Sequence, residues 1–360
     1  MSAPAPAIPL HAPPSAPDRP RATRRFAQVV RLADWWNFKL PPLLAIGYWF
    51  LAGTRVVGLG DALTTCGLFL LASVGIAAFG HLVNDLGDLD ADRRAGRPSA
   101  LAGWSAARRT AMVAGVLALA LAPWQAIPGG APVLAWVAAE LVLFVAYALR
   151  PLRLKERRAL GVVADALYGH AIPAAVATLV FGALCGRDRA GGFRAVFAAI
   201  VLWKLLQGLC GALLSQVRDR RADRRAGTRT LALAWGPRPT LAFLDAWLLP
   251  AQFVAFLAVL ALAERDLPGI LLIYAAFLAA TAFQVHRVWR KRASFYCRDY
   301  PGYVYLNDFH ERWLPLAALA YLVARRPEWA PLALAHVVLF RSALSDLIGA
   351  ALRRRNAGRA

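Results

Sequence analysis

His81-Leu82-Val83-Asn84-Asp85-Leu86-Gly87-Asp88-Leu89-Asp90-Ala91-Asp92-Arg93-Arg94-Ala95-Gly96 follows without a break on the apolar run 68–83. Asp85, Asp88 and Asp92 stand at i, i+3 and i+7, so a helix places all three on one face. Carboxylates so crowded raise one another's pKa unless a cation lies between them. Either the neighbouring arginines neutralise them or a divalent metal does. The pattern D-x-x-A-D-R-R-A-G, Asp88 to Gly96, returns as Asp219-Arg220-Arg221-Ala222-Asp223-Arg224-Arg225-Ala226-Gly227. The two acidic boxes read as parts of one active site.

Outward from the boxes, the chain is apolar. Of its 360 residues 59% are hydrophobic, and the mean hydropathy is +0.47; ordinary globular domains are about 45–50% apolar. The runs are continuous rather than alternating, which favours membrane helices over a barrel. Taking about 20 apolar residues per crossing, the spans fall at 40–58, 63–83, 109–127, 132–149, 162–184, 195–214, 239–263, 268–286 and 308–324. A tenth stretch, 328–348, follows Arg325-Arg326-Pro327. The expected fold is an all-α, multi-spanning helical bundle of nine or ten transmembrane helices. Residues 1–30 read as a disordered, basic, Pro-rich tail, 31–350 as the membrane domain and 351–360 as a second basic tail.

The net charge of +21 does not point to nucleic acid, because the arginines are spread over short loops between apolar runs. They crowd the loops after spans two, four, six and eight, whereas the intervening loops hold few. The positive-inside rule makes the former cytoplasmic. Both boxes then emerge on the cytoplasmic side, in the setting of a bacterial inner membrane. Their spacing, with each box closing the second helix of a four-helix set, predicts two pseudo-repeated four-helix units around a central cavity. Cys66, Cys185, Cys210 and Cys297 include no C-x-x-C pair and read as packing residues.

Two facing acidic helix ends suit Mg2+, which takes oxygen ligands and is held by a few carboxylates together with substrate phosphates. The arginines suit the remaining phosphate oxygens. A metal-bridged diphosphate beside an apolar cavity implies a substrate that is both lipid and diphosphate. The plain alternative, aspartates salt-bridged at helix ends, accounts for one box more readily than for two with duplicated sequence. Gln216 shares a helical face with Asp219 and Asp223. His81 lies one turn before Asp85 and reads more readily as a hydrogen-bonded core histidine than as a cavity contact, while Asp165, Tyr168 and His170 gather at the start of span five, equally open to a helix-end role. Lys204 sits about 18 Å along its helix from Gln216, too deep for the diphosphate, and is expected to pair within the bundle, with Glu140 as the candidate partner.

N-D-x-x-D-x-x-x-D at Asn84 to Asp92 resembles the first aspartate-rich motif of the UbiA superfamily of intramembrane prenyltransferases. Asp219 to Asp223, continued by Gly227 and Thr230, resembles the second motif of that superfamily, and Tyr147 with Arg150, Arg153 and Lys155 resembles its Tyr-to-Lys loop. The resemblance implies nine helices around a lipid-facing cavity and Mg2+-dependent transfer of a prenyl group from a polyprenyl diphosphate to a hydrophobic or aromatic acceptor. It implies metal binding by Asn84, Asp85, Asp88, Asp92, Asp219 and Asp223, the five aspartates being catalytic. Asn84, Arg94, Tyr147, Arg153, Lys155, Arg31 and Gln216 become candidate substrate contacts, with His81, Lys39, Asp165 and Tyr168 behind them. A membrane terpene cyclase would carry the same boxes; a transporter would bind metal and release no diphosphate.

Overall fold

The computed structural model describes residues 31–32, 35–94, 99, 101–289 and 307–341; both expected tails lie outside them. All regular structure among the described residues is helical. In chain order the helices are α1 Trp36–Ala52, α2 Leu59–Arg94, α3 Ala106–Leu121, α4 Gly130–Ala148, α5 Ala159–Ala166, α6 Ile172–Leu184 and α7 Phe193–Ala226. Then come α8 Leu231–Trp235, α9 Pro237–Phe243, α10 Leu249–Ala263, α11 Ile270–Trp289, α12 Leu314–Arg325 and α13 Ala330–Leu339.

Six stretches among the described residues are long and apolar enough to cross a membrane: Leu59–Asp90, Ala106–Gln125, Gly130–Ala148, Ala159–Leu184, Phe193–Arg225 and Pro237–Ala263. Large apolar side chains on their outer faces, such as Val142, Leu202 and Val254, are exposed in the isolated chain. Exposure of that kind in water would be costly, and lipid removes the cost. The chain is an integral membrane protein with a multi-spanning all-α fold. α1 is the exception to outward-facing grease: every residue from Leu40 to Leu51 is buried. A helix apolar all round belongs inside a bundle, and α1 packs against both α6 and α12. The last helix folds back onto it, with Trp36 Nε1 donating to Leu339 O at 2.9 Å and Tyr48 Oη 3.1 Å from His336 Nδ1. The tenth apolar stretch starts as α13, and residues 342–348 lie outside the described set.

The second and sixth helices do not stop where the expected spans 63–83 and 195–214 end: α2 runs unbroken for 36 residues and α7 for 34, carrying the boxes as helical extensions. At 1.5 Å per residue each is about 50 Å long, well beyond a hydrocarbon core of about 30 Å. α2 is followed by α3, packed against it, and then α4 of 19 residues; α7 is followed by the short α8 and α9, then α10, packed against it, and α11 of 20 residues. Gly227, at φ +70°, ends α7, and Thr228 N–H closes back on Asp223 O at 3.0 Å.

Three wide π turns, Leu167–Ala171, Leu244–Leu248 and Phe309–Trp313, share one cause. Each ends two residues before a proline: Pro173, Pro250 or Pro315. Proline cannot donate to the carbonyl four residues back, and its ring crowds that carbonyl. The N–H just before the proline therefore reaches one residue farther, as Ile172 N does to Leu167 O. Such turns recur at functional sites, and the first of these faces the cavity described next.

Candidate active site

The first box is held by the loop that leaves α4. Gly87 permits it: a Cβ there would come within 2.5 Å of Ala148 O, so only glycine lets α2 lie this close to the end of α4. The next residue, Asp88, then meets two cations. Its Oδ1 accepts from Lys155 Nζ at 2.7 Å and from Arg153 Nη2 at 3.1 Å. Lys155 also donates to Asn84 Oδ1 at 2.9 Å, and Arg153 Nη1 to Gly87 O at 2.9 Å. Arg153 adopts φ +40° to make this reach, and its Nε bonds Glu156 Oε1 at 2.6 Å. Burial lowers the pKa of Lys155, and its hydrogen bond to Asp88 opposes that shift. Arg31 acts on Asp85 electrostatically, as do Asp88 and Asp92. The side chain of Arg94 lies outside the described residues.

The second box is held differently. Asp219 has Arg218 Nε at 3.6 Å, with 56% of its own side chain exposed. Gln216 Oε1 accepts from the backbone N–H groups of Leu231 and Ala232, at 3.1 and 3.3 Å, and so caps α8. Its carbonyl oxygen is thereby engaged in the fold. The α4–α5 loop connects the boxes: Arg158 N donates to Arg229 O at 3.2 Å, just past the second box. Asp88 and Asp223 both act on the Tyr147 hydroxyl, which places the two boxes within electrostatic reach of one residue. No three His, Cys, Asp or Glu side chains among the described residues stand close enough together to enclose a metal ion.

Inward from Asn84 runs a cavity of ≈ 370 Å³. Of the residues expected at the site, Arg31, Lys39, His81, Asn84, Tyr147, Asp165 and Tyr168 line it. Asp85, Asp88, Asp92, Asp219, Asp223, Arg153, Lys155 and Gln216 do not. Pro173 shapes one wall through the first π turn. The Gly169 carbonyl, deprived of its helical donor, accepts from Lys39 Nζ at 2.9 Å, and the same ammonium lies 2.7 Å from His170 Nε2. Tyr168 donates to Asp165 Oδ1. The Tyr168 ring packs 4.5 Å from Phe144 and 5.0 Å from Tyr147, centre to centre. Residues that sequence reasoning did not place at the site also line it, among them Trp35, Phe38, Trp124, Glu140 and Lys204. A charge inside an apolar run is the signal that could have found the last two. Lys204 does not pair with Glu140; it donates to Gln207 Oε1 at 2.8 Å.

The fold has solved counterparts. A UbiA homolog from Archaeoglobus fulgidus bound to DMAPP and Mg2+ is similar at a TM-score of 0.60 and 18% identity, covering 83% of this chain and 99% of that one. The same homolog bound to GPP and Mg2+ gives 0.58 and 20%, with the same coverage. A digeranylgeranylglyceryl phosphate synthase gives 0.50 and 14%, over 84% of this chain and 97% of its own. At these identities the likeness is one of fold. No curated protein sequence matches the chain. The model of the UbiA prenyltransferase family matches residues 40–299, well over half the length, and the chain therefore belongs to the UbiA prenyltransferase family.

Proposed function

We propose that this chain transfers a prenyl group from a prenyl diphosphate to a hydrophobic or aromatic acceptor within the membrane, with Mg2+ as cofactor and the boxes facing the cytoplasm. Family membership supports intramembrane prenyl transfer in general, and the UbiA homologs solved with DMAPP or GPP hold Mg2+ as well. The observation that carries the reading for this chain is Asp88, one helical turn from the cavity-lining Asn84, with two protein cations on a single carboxylate oxygen. An ammonium and a guanidinium stand where a carboxylate of this kind would otherwise take a metal ion.

The chemistry of the donor set fits the ion, although no three carboxylates among the described residues stand together in this arrangement. Asn84, Asp85, Asp88, Asp92, Asp219 and Asp223 each offer a side-chain oxygen, the ligand type Mg2+ prefers. Bound there, Mg2+ would supply Lewis-acid stabilisation to the departing diphosphate. The protein's own groups account for the rest. Arg153 and Lys155, beside Asp88, carry N–H donors that phosphate oxygens would accept. Asn84 is the one box residue that both lines the cavity and touches Lys155, so it aligns the diphosphate end with the apolar interior. Phe69, Phe144 and Tyr168 line the cavity and would exclude water, which would otherwise capture an allylic cation. The positive-inside pattern of the arginines supports the cytoplasmic orientation.

The test is diphosphate release by the purified full-length chain given geranyl diphosphate and Mg2+. Release that is enhanced by an acceptor and yields a prenylated product supports transfer. A cyclised hydrocarbon formed without acceptor would replace transfer by cyclisation, and no release at all would refute both.

A further inference from the structure

Glu140 is the one cavity-lining carboxyl that the boxes and the Tyr168 contact leave unexplained. It is 4% exposed, lies in the middle of α4 and faces the cavity. It forms no hydrogen bond and no ion pair among the described residues, although Lys39 acts on it at longer range. A buried carboxyl without a donor is costly, and an ionisable side chain inside a membrane span calls for a partner. Eight residues separate Glu140 from Ala148, which touches the level of Gly87. That is about 12 Å along the helix, too far for Glu140 to take a proton from an atom reacting beside the diphosphate.

We propose that Glu140 is the far anchor of an acceptor subsite, accepting a hydrogen bond from a hydroxyl at the end of the acceptor remote from its reacting atom. The inference rests on the prenyl-transfer reading and narrows it to oxygenated acceptors. The other polar groups of the inner cavity agree. Lys204, 3% exposed, and His170 line the same space. Lys204 and His170 already have partners in Gln207 and Lys39, whereas a hydrocarbon tail laid against Glu140 would leave that carboxyl desolvated and without a hydrogen bond. The apolar walls at Phe69, Ile76 and Val176 suit such a tail instead.

The experiment uses the full chain in lipid nanodiscs and two probes of equal shape, 4-butylphenol and 4-butylanisole, titrated calorimetrically. The wild type is expected to bind the phenol at least tenfold more tightly than the ether. Glu140→Leu should bind the two alike, and Glu140→Gln, which keeps an accepting oxygen, should retain a preference. Equal affinities in the wild type, or a preference that survives in Glu140→Leu, would overturn the proposal. Diphosphate release from geranyl diphosphate is measured in parallel. Its absence in the wild type refutes prenyl transfer alone, while its persistence in Glu140→Leu shows that the variant is folded and still binds the donor.

Discussion

The two acidic boxes share a sequence and differ in their surroundings. Asp88 is 28% exposed at its side chain and carries Lys155 and Arg153 on one oxygen; Asp219 is 56% exposed beside Arg218. Aligning Asp88 with Asp219 sets Gly87 against Arg218, Asn84 against Ser215 and Asp85 against Gln216. Those flanking residues account for the difference. Glycine at 87 lets α4 and its following loop close onto the first box, while arginine at 218 is largely exposed beside Asp219. The duplicated motif thus supplies the carboxylates, and the neighbouring loop decides that Asp88 meets two cations on one oxygen while Asp219 meets Arg218 at 3.6 Å.

The comparison can be broken most forcefully at the aspartates themselves. Asp88→Asn and Asp219→Asn should each abolish diphosphate release from geranyl diphosphate, yet only the first should destabilise the fold, by about 1–3 kcal/mol, because it strips charged hydrogen bonds. Full activity in both variants would sink the metal assignment, and equal melting temperatures would remove the asymmetry. Gly87→Ala tests how the first box is closed. Its Cβ cannot share space with Ala148 O, so α2 must shift, at a cost of about 1–3 kcal/mol and with reduced turnover. Arg218→Ala at the matching position should leave thermal stability unchanged.

Lys155→Met removes the ammonium from Asp88 and Asn84. A thermal-shift measurement should show a loss of about 1–2 kcal/mol, and kinetics should show a raised KM for the prenyl diphosphate. An unchanged KM would remove Lys155 from the phosphate contacts. A smaller loss is expected at Gln216→Ala, where the N–H groups of Leu231 and Ala232 lose their cap for about 1 kcal/mol. Unaltered donor affinity there would confirm a role confined to capping α8; weakened affinity would return Gln216 to the substrate site.

Much of this was legible along the chain. Continuous apolar runs dictate helices in lipid, because no other backbone arrangement short of a closed barrel satisfies its own hydrogen bonds there. The i, i+3, i+7 spacing places Asp85, Asp88 and Asp92 on one helical face without reference to anything else. Less legible was where the helices stop. The apolar pattern ends near Val83 and Leu214, but good helix formers such as Ala91, Arg93 and Arg220 carry α2 and α7 through both boxes. Glu140 and Lys204 stood out as charges in apolar runs, yet neither reveals from its position alone that the two line one cavity without pairing.

The sequence by itself determined a membrane-embedded helical protein with two acidic boxes and a basic loop between them, since hydropathy, helical period and charge placement are local properties. Only the tertiary structure decided which cations hold Asp88, that Gln216 caps a helix, and that Lys39 supplies the hydrogen bond Pro173 withholds from Gly169. The partners in these contacts are far apart in the chain: 71 residues from Asn84 to Lys155 and 130 from Lys39 to Gly169. Such pairs meet only because packed helices bring them together. No local pattern records which face of one helix will lie against another, and close packing, set here at Gly87 by the absence of a single methyl group, makes that choice.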